Sequence, residues 1–166
     1  YEGEVTDGLR QGQGTLTTPV GLRYEGGWKA GRFDGEGVLI QPDGSRYEGA
    51  FVAGRSEGLG RWTGAGGAAY NGGFAGGLRS GAGTLTTADG VVYTGNWIDG
   101  RFEGEGKVSF PDGSLLRGSF VDGRLQGKGS KAFPDGSRYT GDRVDGAISG
   151  EGEADYGNGV IYRGAF

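Results

Sequence analysis

The chain has 166 residues, with 17 Lys and Arg against 21 Asp and Glu, a net charge of -4 and a pI near 4.9. It therefore lacks the basic face with which nucleic-acid binders displace counterions, and an anionic phosphoinositide membrane is disfavoured for the same reason. Neither cysteine nor histidine is present, which excludes disulfides, Cys/His zinc sites, haem ligation by His and His-dependent acid-base chemistry.

Read in chain order, Tyr-x-Gly returns every 23 residues, at Tyr1, Tyr24, Tyr47, Tyr70, Tyr93, Tyr139 and Tyr162, with Leu116 alone breaking the column. A strict period without insertion marks a repeat array. The units are 1–23, 24–46, 47–69, 70–92, 93–115, 116–138 and 139–161, with a partial unit at 162–166. The 42 glycines fall largely in register, so they read as structural positions and not as low complexity.

The unit 93–115 shows the local logic most cleanly. Tyr93, Gly95 and Trp97 share one face of a strand while Thr94, Asn96 and Ile98 point to the other. Asp99-Gly100 is a turn dipeptide, the segment from Gly104 to Phe110 alternates again, and Pro111-Asp112-Gly113 supplies a second turn. Short connections make consecutive strands antiparallel neighbours. The expected fold is all-β: an elongated single-layer antiparallel β-meander solenoid of 23-residue hairpin repeats, without helix, advancing about 65 to 70 Å over seven units. Aromatic rings are expected to lie over the bare backbone of Gly95, Gly104 and Gly106, on the face of a curled trough. The opposite phase, with Glu2, Gln13, Glu25, Glu36, Glu48, Glu105 and Lys128, reads as a solvated convex face.

The units depart from the pattern at defined places. The third replaces its Pro-Asp-Gly turn by the stretch from Gly64 to Ala69, read as a softer connection; in the sixth, Leu116 replaces the first aromatic; in the seventh, Arg143 replaces the second. The start without Met, on a repeat boundary, and the broken eighth unit read as a segment of a longer chain. With no signal peptide and no transmembrane run, a soluble cytoplasmic setting is expected.

Candidate chemistry is sparse. The Gly-x-Gly pairs sit inside strands with no following helix, so they do not form a phosphate loop. Asp142, Asp145 and Glu151 lack the alternating spacing of a calcium loop. Asp34, Glu36, Glu57, Glu103 and Glu105 recur in equivalent surface positions, whereas a catalytic pair needs one special environment. Arg32, Arg55, Arg101 and Arg124, two residues before acidic or amide residues, read as local charge compensation. The aromatics Tyr24, Trp28, Tyr47, Phe51, Tyr70, Phe74, Tyr93, Trp97, Phe120 and Tyr139 are the candidate partner-binding groove, since a core one layer thick doubles as an apolar strip.

The pattern Tyr-x-Gly-x-(Trp/Phe)-x-x-Gly-x-x-x-Gly-x-Gly resembles the MORN (membrane occupation and recognition nexus) repeat, carried for example by Tyr24-Glu25-Gly26-Gly27-Trp28, Gly31, Gly35 and Gly37. Many MORN units carry His before the Gly-x-Gly; here that place holds Gln11, Asp34, Glu57, Ser80, Glu103, Gln126 and Ser149. The resemblance implies a non-enzymatic scaffold, without cofactor, holding a peptide or helix within a cytoskeletal or ciliary assembly. Its alternative is a phospholipid-binding tether or a targeting module of a lipid kinase or other enzyme. Terminal strands expose unpaired backbone, which either flanking sequence caps or another chain pairs with, end to end or edge to edge.

Overall fold

A computed structural model describes every residue from Tyr1 to Phe166. Its strands are β1 Glu2–Thr6, β2 Leu9–Thr17, β3 Arg23–Lys29, β4 Arg32–Ile40, β5 Arg46–Val52, β6 Arg55–Thr63, β7 Ala69–Ala75, β8 Leu78–Thr86, β9 Val92–Ile98, β10 Arg101–Ser109, β11 Leu115–Val121, β12 Arg124–Ala132, β13 Arg138–Val144, β14 Ala147–Asp155 and β15 Ile161–Ala165. They form one open antiparallel sheet in chain order, with no helix, as the 23-residue pattern requires. Contacts divide the chain into two compact units, Tyr1–Gly83 and Thr84–Phe166, with the boundary inside β8.

The first turn of each repeat is of the mirror-image type that suits a twisted hairpin. Asp7, Ala30, Ala53, Asp99, Asp122 and Asp145 all have φ of 48 to 51°, each followed by a glycine with positive φ. The second strand begins earlier than its alternation indicates, at Arg101 and not at Gly104. It bends where it was expected to start. Gly104 has φ 70°, and pairing with β9 passes from Glu103↔Asn96 directly to Gly106↔Gly95, leaving Gly104 and Glu105 to face Phe120 and Ser119 of β11.

The same irregularity recurs in the first unit at Gly12 and Gly58. Each hairpin tip thus turns out of the main sheet, because only a residue tolerant of the left-handed region can sit at that bend. The bent tips then stack on one another. Gly31, Gly54 and Gly77 N-H donate to the carbonyls of Arg10, Phe33 and Ser56 in the first unit, at 2.8 to 3.0 Å. Gly123 and Gly146 do the same to Phe102 and Leu125 in the second.

The connection from Gly64 to Ala69 is no softer in its backbone bonding than its neighbours. Gly64 N-H donates to Ala68 O at 2.8 Å and Gly67 N-H to Gly64 O at 3.0 Å, matching the bonds of Gln41 and Gly44 in the preceding repeat.

Candidate functional site

Tyrosine and glycine form one device. An added Cβ at Gly37 would lie 2.5 Å from the Tyr24 hydroxyl, and one at Gly26 would lie 2.8 Å from it, so the ring occupies the space two side chains would need. Tyr47 covers Gly49 and Gly60, Tyr70 covers Gly72 and Gly83, and Tyr139 covers Gly141 and Gly152 in the same way. Each hydroxyl then finds a carbonyl three residues on: Tyr24 donates to Gly27 O at 2.9 Å, Tyr47 to Ala50 O at 3.1 Å and Tyr70 to Gly73 O at 3.1 Å. Burial pushes the Tyr24 and Tyr47 phenols up to about 12, with the nearby carboxylates adding to the shift.

In the first unit the rings interlock edge to face. Tyr24, Phe51, Tyr47, Phe74 and Tyr70 form successive T-shaped contacts with centroids 4.9 to 5.2 Å apart, and Trp28 meets Tyr24 at 5.2 Å. All six are buried, between 0 and 8% exposed, so they are a floor and not an open surface. The bent tips and the neighbouring rings supply the cover that a flat single layer would lack.

Accessible apolar surface lies in one row beside this floor and at a single ring on the tip side, neither of which the tyrosine column reveals. Leu16, Leu39 and Trp62 are half-buried and sit directly across the strands from Tyr24, Tyr47 and Tyr70, hence on the same face. On the tip side stands Phe33, stacked on Tyr24 at 3.8 Å. Arg10, Leu16, Trp28, Arg32 and Phe33 line a hollow of about 240 Å³. The signal available in the sequence was the period itself, applied to column 16 of each repeat as well as to column 1.

The second unit uses different plugs. Phe102, and not Tyr93, covers Gly95 and Gly106, and Leu125 covers Gly118 and Gly129. Trp97, Phe120 and Tyr139 are buried with Phe102, Val108 and Leu125, while Tyr93 is only half-buried. A phenylalanine or leucine has no hydroxyl to satisfy, so it can take the glycine saddle that Tyr93 yields and Leu116 leaves. Arg143 fills the slot held elsewhere by Trp28, Phe51, Phe74, Trp97 and Phe120. It is 6% exposed, donates through Nη1 to Gly146 O at 3.0 Å, and lies 5.1 Å over the Tyr139 ring. Its Nε and Nη2 have no hydrogen-bond partner, and burial lowers its pKa.

The recurrent carboxylates serve the neighbouring turn. Asp34 accepts the Ala53 N-H at 3.2 Å, Glu57 the Gly76 N-H at 2.9 Å and Glu103 the Asp122 N-H at 2.9 Å. Gln11 does the same for Ala30, at 3.2 Å. Of the rim arginines, Arg101 pairs with Asp122 of the next tip and not with Glu103 two residues on. Asp142 accepts the Glu151 N-H at 3.2 Å, and Asp145 accepts from Gln126 Nε2 at 2.8 Å.

On the opposite face Glu2, Gln13, Glu25, Glu36, Glu48, Glu105 and Lys128 are exposed as expected. In the first unit that face is not uniformly convex. A hollow of about 510 Å³ opens over Val38 and Ile40, edged by the Arg23–Glu25 and Arg46–Glu48 ion pairs.

The profile of the MORN repeat matches six consecutive segments, 1–23, 24–46, 47–69, 70–92, 93–115 and 117–138, and the chain belongs to the MORN-repeat family. No curated protein matches it. Among solved structures it is similar to the TCP domain of SAS-4 (dCPAP) from Drosophila melanogaster in complex with a proline-rich motif of Ana2 (dSTIL). That match has a TM-score of 0.55 at 15% identity and covers 92% of this chain and 84% of that one. The G-box domain of the microcephaly protein CPAP aligns with a TM-score of 0.46 at 16% identity, over 92% of each chain.

Proposed function

We propose that this MORN-repeat chain is a non-catalytic scaffold that holds an extended peptide from a partner protein, and that its setting is a cytoskeletal assembly of the centriolar or ciliary kind. The observation that carries the reading is the in-register groove of the first unit. Its floor of interlocked rings is buried, and its half-buried wall, Leu16, Leu39 and Trp62, presents one apolar side chain per repeat, with Phe33 opposite in the second repeat. A preformed surface of this kind binds without first ordering itself. The candidate groove residues Tyr24, Trp28, Tyr47, Phe51, Tyr70 and Phe74 act in it as the floor, and Tyr93, Trp97, Phe120 and Tyr139 hold the corresponding places in the second unit. The fold it shares with the SAS-4 domain, which is seen with a bound proline-rich motif, supports a peptide as the partner class. The non-catalytic reading is supported by Asp34, Glu57 and Glu103, whose carboxylates are engaged by the next turn in equivalent surroundings.

The test is selection of peptides from a displayed random library against the full chain, followed by affinity measurement on variants. Leu39→Lys and Trp62→Lys should each weaken the selected peptides roughly tenfold or more, while Glu36→Lys on the opposite face should not. Peptides that bind Leu39→Lys and Trp62→Lys undiminished would remove the groove from the account. Vesicles containing phosphoinositide serve as the control for the tether alternative. The basic side chains Arg23, Arg46 and Arg101 are already paired with acids, so no co-sedimentation at physiological salt is expected.

A further inference from the structure

The second unit carries a row of rings that the groove does not use. Phe110, Phe133 and Tyr156 each open the turn that closes a repeat, donating their N-H to Ser114, Ser137 and Val160 carbonyls at 2.9 to 3.0 Å. Phe110 is half-buried, whereas Phe133 is 38% and Tyr156 53% exposed. The Lys131 ammonium sits between two of them, 5.4 Å from the Phe110 centroid and 4.8 Å from that of Phe133. Corresponding places in the first unit hold Thr18, Gln41 and Gly64, so the row is a property of this unit alone. The turns beneath it touch. A Cβ added at Gly113 would lie 3.4 Å from Pro134, and one at Gly157 would lie 3.3 Å from the Gly136 backbone.

From this geometry we infer that Phe110, Phe133 and Tyr156, with Lys131 between the first two, bind a proline-rich segment in the polyproline II conformation, a specialisation that rests on the peptide-scaffold reading. Two strands per repeat set the rings about 10 Å apart, and a polyproline II helix repeats its face every three residues, about 9.3 Å. One proline ring per turn therefore meets one aromatic ring, and the three rings together span roughly seven residues of ligand.

Hydrogen-bonding groups separate this ligand from an amphipathic helix, whose heptad of about 10.5 Å also fits the spacing. The row offers donors, the Lys131 ammonium and the Tyr156 phenol. The neighbouring carboxylates are partly engaged by their own turns: Asp112 Oδ1 receives the Ser114 N-H at 2.8 Å, and Asp135 Oδ1 receives the Ser137 N-H at 2.9 Å and hydroxyl at 2.6 Å. A polyproline II segment presents bare carbonyls and, at proline, no N-H, whereas an α-helix has already engaged its carbonyls. The ammonium and phenol donors find open carbonyls only on the former.

The test uses fluorescein-labelled decaproline titrated with the full chain and read by fluorescence anisotropy. A glycine-serine decapeptide and a helical peptide with leucine every seventh residue are run beside it. Saturable binding of decaproline alone is expected, weakened roughly tenfold by Phe133→Ala and by Tyr156→Ala. Phe133→Leu keeps apolar bulk without the ring face and should weaken it similarly, with the far-ultraviolet circular dichroism melt unchanged. Decaproline binding no better than the glycine-serine peptide, binding by the helical peptide instead, or decaproline binding untouched by these variants would each overturn the inference. Should decaproline fail while library-selected peptides still depend on Leu39 and Trp62, this inference falls and the scaffold reading stands.

Discussion

Replacing Arg143 by phenylalanine should make the seventh repeat more stable. Two guanidinium nitrogens, Nε and Nη2, are buried without partners, and an unsatisfied buried donor costs about 1 to 3 kcal/mol. Against this stand one hydrogen bond from Nη1 to Gly146 O, worth about 1.5 to 3 kcal/mol for a charged donor, and the stacking on Tyr139, worth about 0.5 to 2 kcal/mol. These terms nearly cancel, so the balance is set by what replaces the side chain. Arg143 lies across from Gly127 as Phe120 lies across from Gly104 and Phe51 from Gly35. A phenylalanine therefore fits the slot without a clash and adds about 1.5 to 3 kcal/mol of apolar burial. A net gain of about 2 kcal/mol is expected, within the range known for exchanging buried charge for apolar side chains. Because repeat arrays open locally, the suitable assay is native-state amide hydrogen exchange in β13 and β14, where 2 kcal/mol appears as roughly thirtyfold slower exchange. Unchanged or faster exchange in Arg143→Phe would show that the guanidinium is satisfied in solution and that its burial is not a cost.

Four other outcomes are expected. Ala53 has φ 50°, so Ala53→Gly should raise stability by about 1 kcal/mol in urea unfolding, as glycine avoids the left-handed penalty; Val52→Gly, outside that region, should lower it. Glu103→Ala removes the acceptor of the Asp122 N-H and should cost about 1 kcal/mol, visible as faster exchange of that amide with little change elsewhere. Gly37→Ala would bring a Cβ to 2.5 Å from the Tyr24 hydroxyl, and a thermal melt should show a loss of about 2 kcal/mol or more from overpacking. On alkaline titration followed by phenolate absorbance, Tyr24 and Tyr47 should ionise near pH 12. Their folded values lie above the ordinary 10.0, so their contribution to stability is complete below pH 10 and falls away as the pH rises to 12.

The repeat, its two strands and two turns, and the cover of glycine by an aromatic ring at Gly95 and Gly106 were legible from the residues, because each is a local or strictly periodic relation, whereas Gly104, expected under a ring, stands open. Asp99-Gly100 specifies its turn within two residues, and alternation over Tyr93, Gly95 and Trp97 specifies a face. The exposed charged phase was equally legible, since period two assigns Glu25 and Glu48 to the side away from Tyr24 and Tyr47. Three features were decided only in three dimensions. The bend at Gly104 and its equivalents depends on pairing with strands on both sides, and it converts what alternation reads as a strand start into a corner. The work of Asp34, Glu57 and Glu103 depends on a turn 19 residues further on, brought within reach only when tips stack. Which side chain fills a glycine saddle, Tyr24 in one repeat but Phe102 or Leu125 in another, depends on competition for a single volume. A one-dimensional period places residues in columns, and only close packing decides which member of a column is buried and which is left to meet a partner.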